Sequence, residues 1–184
     1  MPVTTLDPRT ALVVIDLQQG LTAYPTIHPF ADVVAHAATL AAEFRKRGLP
    51  VVLVNASGSA PGRTEQARRV TGAFGLDFTE LLPELDAQPD DILVTKTSWG
   101  AFATTDLEAR LKAIGVTQIV LGGVATSAGV ESTAREAHGL GLNVTLAVDA
   151  MTDLNAQMHE NSVTRVFPRL GETGTTAEIV ALLG

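Results

Sequence analysis

Short apolar segments alternate with longer amphipathic segments along the whole chain, and this alternation limits the possible fold more than any other feature. The apolar segments lack the polar residues that a half-exposed strand would show at every second position, so they are typical of strands buried on both faces. The predicted strands are residues 11–16, 50–55, 91–96, 118–124 and 142–150, with a short sixth strand in RLGETG. The predicted helices are residues 29–48, about 78–85, 105–115, 126–139, about 154–166 and the segment TTAEIVALLG, which Thr176 is expected to cap.

Strands that alternate with helices predict an α/β fold, because parallel strands are joined by right-handed helical crossovers that cover both faces of the sheet. We therefore expect a three-layer αβα, doubly wound, Rossmann-like domain with a mostly parallel six-stranded sheet. The length of 184 residues is enough for one such domain, so we expect residues 1–184 to form a single unit.

Charge and composition limit the partners. The net charge is −7 and the chain has no basic run, which argues against a nucleic-acid partner. Residues 113–130 carry no charge, but their glycines, Thr and Gln favour a buried strand leading into a helix over a membrane span. The N-terminus resembles no signal peptide, so we expect a cytoplasmic protein. The hydrophobic content of 46% with 18% charged residues also favours a homo-oligomer.

Cysteine is absent from the sequence. This absence excludes disulfides, zinc–thiolate sites, iron–sulfur clusters and a thiol nucleophile within the chain.

Candidate functional residues are the polar side chains that follow the predicted strands, because ligands of open α/β sheets bind beyond the carboxyl ends of the strands. Asp16 ends the first strand, Lys96 the third and Asp149 the fifth. Asn55 and Arg63 belong to the end of the second strand and to the long Gly/Pro/Ser loop at 57–66, whose length is typical of ligand-facing loops.

Asp16 and Lys96 each allow two interpretations. Asp16 is either an ordinary turn acid or a carboxyl group with a pKa raised by a dry site, able to move a proton near neutral pH. Lys96 is either a strand-end lysine that reaches solvent or a cation that stabilises negative charge in the site. Position alone does not decide between them.

The segment GGVATSAGVESTA at 122–134 is the third candidate element. It lacks both G-x-G-x-x-G and the G-K-[ST] ending of a P-loop, so no nucleotide cofactor is expected. Thr126 or Ser127 is expected to cap the following helix, whose free N–H groups would favour an anion. Gly129 also suits tight helix packing, and Glu131 and Arg135 suit a surface ion pair.

Together these segments resemble the isochorismatase-like, or cysteine hydrolase, superfamily over essentially the whole chain. The matching segments are ALVVIDLQQG, VTKTSWGAF, LGGVATSAGVESTAREA and GLNVTLAVDAMTD. The resemblance implies a hydrolase with Asp16 as the catalytic acid and Lys96 as the catalytic lysine. It also implies a non-proline cis peptide at Val124–Ala125.

The chain departs from this family pattern at the nucleophile, because Gly129 occupies the position of the catalytic cysteine. A thioester intermediate is therefore excluded. The loop after the second strand has no histidine, unlike that of metal-binding nicotinamidases, so we predict no catalytic metal. His36, His138 and His159 are expected on helices as surface or packing residues.

Isochorismatases resemble this chain in lacking the thiol, and they hydrolyse a vinyl ether with release of pyruvate. By this resemblance Asp16 would protonate the enol-ether carbon, Lys96 would tune Asp16 and bind negative charge, and Gly129 would leave room where the thiol stood. Arg63 would pair with a substrate carboxylate. The expected substrate-binding residues of this small-molecule site are Asn55, Arg63, Trp99, Phe102, Val124 and Ala125. Two rivals stay open: amide or ester hydrolysis by activated water, with helix N–H groups as the oxyanion site, and a catalytically inactive binding member of the family.

Overall fold

A computed structural model describes residues 2–65 and 74–184 of the chain. Its centre is a parallel sheet of six strands in the order β3-β2-β1-β4-β5-β6. The strands are β1 (Thr10–Ile15), β2 (Val51–Ala56), β3 (Ile92–Lys96), β4 (Gln118–Val124), β5 (Asn143–Thr152) and β6 (Glu172–Gly174). The helices are α1 (Phe30–Lys46), α2 (Leu76–Thr79), α3 (Leu107–Ala113), α4 (Glu131–Gly139), α5 (Ala156–Asn161) and α6 (Thr176–Leu182).

Apolar clusters lie on both faces of the sheet. On one face, side chains of α1 and α6 pack on residues such as Leu12 and Val14 of β1. On the other, α3, α4 and Phe167 pack on Val13 and Ile15. Every residue of β1 is buried, as a continuous apolar run requires when helices cover both faces. The predicted three-layer αβα architecture with a parallel six-stranded sheet is confirmed.

Two predicted helices are present but include π turns, and a third predicted helix is divided in two. The predicted helix at 126–139 begins as a π-helical turn over Thr126–Val130, and the one at 154–166 continues from α5 into a second π turn, Ser162–Val166. The predicted helix at 78–85 is instead α2 followed by a 3-10 turn at Pro83–Leu85. Gln66, the last residue of the predicted loop at 57–66, lies outside the described residues.

The fifth strand and the last helix show the largest corrections. β5 continues to Thr152, so Asp149 lies inside the strand rather than at its end. Thr175, not Thr176, caps α6 in a capping box with Glu178. Thr176 instead donates from its backbone N and its hydroxyl to Oδ1 of Asp149, at 2.8 and 2.9 Å. Asp149 therefore binds the start of α6 and faces away from the other candidate residues.

The strand order reverses between β1 and β4, which lie side by side in the middle of the sheet. Their carboxyl ends are where such folds bind ligands. Asp16 directly follows β1 with a positive φ of 53°, a left-handed conformation uncommon for residues other than glycine. Next to it, Gly123 of β4 has a φ of 119°, and a side chain there would overlap the backbone of Ile15. The two central strands thus approach closely where the candidate residues begin.

Among the described residues, no helix is long and apolar enough to cross a membrane. The uncharged segment 113–130 is divided between the end of α3, strand β4 and the π turn.

Candidate active site

Asp16 and Lys96 form a buried ion pair at the carboxyl edge of the sheet. Asp16 follows the central strand β1 and Lys96 ends the edge strand β3, with β2 between them. The Nζ of Lys96 lies 2.7 Å from Oδ2 of Asp16, and the two side chains are only 2% and 10% exposed. Lys96 Nζ also donates to the carbonyl oxygen of Ser98 at 3.0 Å. Lys96 therefore does not reach into solvent, which decides against the surface interpretation of this lysine.

The second carboxylate oxygen of Asp16 is buried and unpaired. Oδ1 has no hydrogen-bond partner among the residues that the structure describes, whereas buried polar atoms are normally paired. Burial raises the pKa of Asp16 to about 6, and the charge and hydrogen bond of Lys96 offset part of that rise. A carboxyl group with such a pKa can gain or lose a proton near neutral pH.

Gly129 lies beside this carboxylate. A Cβ built on Gly129 would lie 3.4 Å from Oδ2 of Asp16, 3.1 Å from the carbonyl oxygen of Val124 and 2.9 Å from Cγ2 of Ile15. Position 129 therefore faces Asp16, as the family pattern implies. The space is narrower than expected, however, because even a methyl group would have to displace its neighbours.

The peptide bond between Val124 and Ala125 is cis, and the π turn Thr126–Val130 follows it directly. Neither Thr126 nor Ser127 caps this turn or α4 with its side chain. The π turn is instead capped by Asp153, which lies just past β5. Its Oδ2 accepts from both the backbone N–H and the hydroxyl of Ser127, at 2.7 and 2.8 Å.

Asp153 is the residue that sequence reasoning missed. The segment DAMTD at 149–153 holds two acids, and the sequence pattern places the end of the strand at the first of them. The strand continues past Asp149 through an irregularity in its pairing with β4, between Leu121 and Gly123. This shift places Asp153, not Asp149, at the edge where the site lies.

The predicted substrate-binding residues are not all close together. Val124 is buried and Ala125 half-buried beside Gly129. Trp99 is 65% exposed in the loop after β3, whereas the side chain of Phe102 is buried in a core cluster with residues of α3 and α4. Arg63 is exposed, and within residues 2–65 and 74–184 no hydrogen bond or ion pair joins it to Asp16 or Lys96.

Asn55 contributes to a surface cleft of about 450 Å³ that α2 and the residues after it line. Its Nδ2 donates to the carbonyl oxygen of Thr79 at 2.7 Å. Gln18 is fully buried, and its Nε2 donates to the carbonyl oxygen of Phe78 at 2.8 Å. The same amide also donates to the carbonyl oxygen of Ala56 and accepts from the Ala56 N–H. Both amides therefore hold the α2 segment against the ends of β1 and β2.

The histidines lie apart from the Asp16–Lys96 pair. His36, His138 and His159 lie on α1, α4 and α5 as predicted. His159 is hydrogen-bonded through Nδ1 to the hydroxyl of Thr126 at 2.8 Å and lies edge-on to His28. Burial and His28 lower the pKa of His159. In the part of the chain that the structure describes, no group of three or more acidic or histidine side chains is placed to hold a metal ion.

Comparison with known proteins identifies relatives over nearly the full length. The sequence model of the isochorismatase domain matches residues 10–178. YwoC, an isochorismatase family protein of Bacillus subtilis, is 40% identical over 178 residues, which cover 94% of this chain and 93% of YwoC. A probable isochorismatase of Pseudomonas chlororaphis is 27% identical over 184 residues, which cover 96% of this chain and 87% of that protein.

A solved structure shows the same fold. An isochorismatase family protein from Burkholderia thailandensis superposes with a TM-score of 0.93 at 40% identity, covering 97% of each chain. Because the sequence contains no cysteine, a covalent cysteine intermediate is impossible in this chain. The chain belongs to the isochorismatase family and is a hydrolase of that family.

Proposed function

We propose that the protein hydrolyses a small-metabolite vinyl ether, such as isochorismate, with Asp16 as the general acid. The observation that carries this proposal is the oxygen Oδ1 of Asp16, which has no hydrogen-bond partner within residues 2–65 and 74–184 and is buried beside Lys96 on a carboxyl group whose pKa is about 6. A protonated carboxyl group that is not fully hydrogen-bonded is suited to transfer its proton to a substrate carbon. This reaction needs no covalent bond between substrate and protein.

The reaction begins when Asp16 transfers its proton to the terminal carbon of the enol ether. That carbon becomes a methyl group, and its neighbour becomes an oxocarbenium ion bonded to the ether oxygen. Water adds to this cation and returns a proton to Asp16, and the resulting hemiketal breaks its ether C–O bond as its hydroxyl proton passes to the leaving oxygen. The products are pyruvate and the alcohol. Lys96 stabilises the carboxylate that Asp16 becomes after it has given up its proton.

Gly129 supports this chemistry by placing no side chain against Oδ2 of Asp16. In the proposal the reacting carbon approaches Oδ1 of Asp16, the oxygen that does not bind Lys96, past Val124 and Ala125. Trp99 and Asn55 are proposed to line the site, and Arg63 to pair with a substrate carboxylate, whereas Phe102 packs in the core and supports the loop from behind. The probable isochorismatase among the relatives supports the choice of isochorismate as the first substrate to test.

The test is to incubate the protein with isochorismate and to follow pyruvate release through a coupled NADH assay. We expect turnover that depends on Asp16, and an Arg63→Ala variant with a raised KM and a nearly unchanged kcat, since Arg63 is proposed only to bind substrate. A folded protein that releases no pyruvate from isochorismate or from simpler vinyl ethers would overturn the proposal.

Amide or ester hydrolysis is the rival reaction, with Asp16 as the base that activates water. It would need free N–H groups for the oxyanion. Three N–H groups of the turn do not meet this need, because Ser127 donates to Asp153, and Ala128 and Val130 donate to the carbonyl oxygen of Ala125. The pH dependence of kcat/KM separates the two roles, because an acid must be protonated. The proposal predicts a rate that falls above pH 6, and a base would give a rate that rises.

The broader setting of this activity is also proposed: one hydrolase domain over residues 1–184, in the cytoplasm, acting as a homo-oligomer without a nucleic-acid or membrane partner. Large apolar side chains at the exposed edge of the sheet support self-association, with Leu93 of β3 at 54% and Trp99 at 65% exposure. A mass measurement in native buffer tests the oligomer, and a monomeric mass would contradict it.

A further inference from the structure

The loop that follows Lys96 is held to helix α4 by hydrogen bonds from two consecutive backbone N–H groups. Ala101 donates its N–H to Oγ1 of Thr133 at 3.1 Å, and Phe102 donates its N–H to Oε2 of Glu136 at 2.9 Å. Thr133 and Glu136 are three residues apart, so their side chains lie on the same face of the helix. We define residues 97–102 as the tryptophan loop.

Thr133 connects this loop to the glycine beside Asp16. Its side chain is completely buried, and its hydroxyl donates to the carbonyl oxygen of Gly129 at 2.7 Å while it accepts from Ala101. A hydroxyl has one proton to donate, and here that proton is directed to Gly129. One side chain therefore contacts both walls of the candidate site.

Glu136 fixes the same loop one turn further along α4. A side chain at Gly100 would overlap the carboxylate of Glu136, so the carboxylate fills the space that the glycine leaves. The remainder of the loop leads back to the ion pair, because the Ser98 hydroxyl donates to the carbonyl oxygen of Gly100 and the Ser98 carbonyl oxygen accepts from Lys96 Nζ.

We propose that Thr133 and Glu136 are positioning residues, which hold the tryptophan loop on α4 and thereby fix Lys96 and Trp99 relative to Asp16. Neither side chain needs to touch the substrate. The expected effect on turnover rests on the proposed function of the Asp16–Lys96 pair. The expected effect on the position of the loop does not depend on that function. If the loop is released, the carbonyl of Ser98 no longer holds Lys96 Nζ in place, and the contact between Lys96 and Asp16 weakens.

Trp99 makes this testable without any substrate, because it is the single tryptophan of the chain and lies within the loop. Glu136→Ala removes the acceptor for Phe102 on a half-buried helix position that tolerates alanine. Glu136→Gln retains an acceptor oxygen. His138→Ala is the matched control, since His138 is exposed on α4 and points away from the loop contacts.

We expect the fluorescence anisotropy of Trp99 to fall, and its quenching by acrylamide to rise, in Glu136→Ala, but not in Glu136→Gln or His138→Ala. Gly100→Ala should reproduce the effect of Glu136→Ala, because the new methyl group displaces the carboxylate. The double variant Gly100→Ala/Glu136→Ala should lower the anisotropy of Trp99 no further than either single substitution, as expected for groups that act together.

The second contact of the loop, from the Ala101 N–H to the Thr133 hydroxyl, is tested by Thr133→Val, which removes the hydroxyl, against Thr133→Ser, which keeps it. If Thr133→Val does not fold, Glu136→Ala alone tests the proposal.

Two measurements connect the loop to the site. The carboxyl ¹³C resonance of Asp16, assigned by its loss in Asp16→Asn, should titrate at higher pH in Glu136→Ala than in the parent protein, since a displaced Lys96 no longer favours the carboxylate. With isochorismate, kcat/KM of Glu136→Ala should fall about tenfold, mainly through kcat, because small displacements of catalytic groups are costly.

The outcomes separate this proposal from the proposed function. A folded Glu136→Ala with unchanged Trp99 anisotropy and unchanged Asp16 titration overturns the positioning role, whatever the activity. A parent protein without turnover overturns the proposed function, but a changed anisotropy and an upward Asp16 titration in Glu136→Ala would still support the positioning role. A changed anisotropy with an unchanged Asp16 titration would show that the loop does not position Lys96, and would overturn it.

Discussion

Two buried aspartates lie at the same edge of the sheet, one past β1 and one past β5, and their surroundings differ. Both oxygens of Asp153 are fully used: Oδ2 accepts from Ser127, and Oδ1 accepts from the backbone N–H groups of Leu154 and Asn155 at 2.7 and 3.1 Å. Asp16 uses only one oxygen, toward Lys96, and its Oδ1 is unpaired among the described residues.

The difference shows that burial alone does not mark a reactive acid. Asp153 is 3% and Asp16 7% exposed, yet of these two acids only Asp16 has an oxygen without a partner in the described part of the chain. Hydrogen bonds from backbone N–H groups hold the carboxylate of Asp153 in one position, which suits a structural cap. A carboxyl group with one free oxygen and a pKa near 6 is suited to proton transfer. We therefore expect substitutions at Asp16 to affect turnover and substitutions at Asp153 to affect folding.

Asp16→Asn is expected to have the largest effect on activity. Asparagine has nearly the same shape and can still accept from Lys96, but it has no acidic proton to transfer. Removal of a general acid commonly costs about 10²- to 10⁴-fold in rate, and we expect a loss of kcat/KM in this range in the pyruvate-release assay. Far-UV circular dichroism serves as the control for folding. A folded variant within tenfold of the parent would contradict the acid role of Asp16.

Asp153→Ala is expected to have the largest effect on stability. The change leaves the N–H groups of Ser127, Leu154 and Asn155 without their acceptor, and hydrogen bonds to a charged group contribute about 1.5–3 kcal/mol each. We expect the free energy of unfolding, measured in urea, to fall by about 3 kcal/mol or more. Asp153→Asn, which keeps one acceptor oxygen, should lose less. If both variants are as stable as the parent, Asp153 is not the cap that its contacts indicate.

The stability contributed by Asp16 should depend on pH in the direction opposite to that of a paired surface acid. Its pKa is about 6 in the folded protein against 3.8 as the ordinary value, so the folded state holds a proton that the unfolded state releases. This contribution is fully present below pH 3.8 and is lost as the pH rises through 6. The loss is on the order of 3 kcal/mol.

The measurement is the difference in unfolding free energy between the parent and Asp16→Asn from pH 4 to 7, since the other titrating groups cancel in that difference. The parent should lose stability relative to Asp16→Asn across this range. The same difference measured for Asp153→Asn is the control for a buried aspartate substituted by asparagine at the same edge of the sheet. A difference between parent and Asp16→Asn that does not change with pH would contradict the raised pKa of Asp16.

The architecture and the Asp16–Lys96 pair were accessible from the sequence for physical reasons. Strands buried on both faces appear as apolar runs, and the residue that ends a parallel strand lies at a known edge of the sheet, so the location of Asp16 and Lys96 followed from their positions in the chain. The location of Gly129 beside Asp16 followed from the family resemblance. The cis peptide at Val124–Ala125 followed from the family resemblance and not from any physical argument about the sequence.

The remainder depended on contacts between distant residues. The role of Asp153 depends on an irregularity in the pairing of β4 and β5, which no local pattern signals. Thr175 rather than Thr176 caps α6, because the Thr176 hydroxyl donates to Asp149, a residue distant in sequence. Phe102 follows Trp99 closely in the sequence, but contacts with α3 and α4 place its side chain in the core. Tertiary contacts decided each of these cases.

Lys96→Met gives the smallest expected effect and the sharpest test of what separates Asp16 from Asp153. Both contributions of Lys96, its charge and its hydrogen bond, lower the pKa of Asp16, so their removal should raise that pKa above 6. If Asp16 acts as the acid, the pH at which kcat/KM declines should move upward by about one unit, although the maximal rate falls because the carboxylate product loses its cation. Lys96→Arg keeps the charge and should leave the midpoint near 6. A midpoint that is the same in both variants would show that Lys96 does not tune Asp16, and the two aspartates would then differ only in their hydrogen bonds.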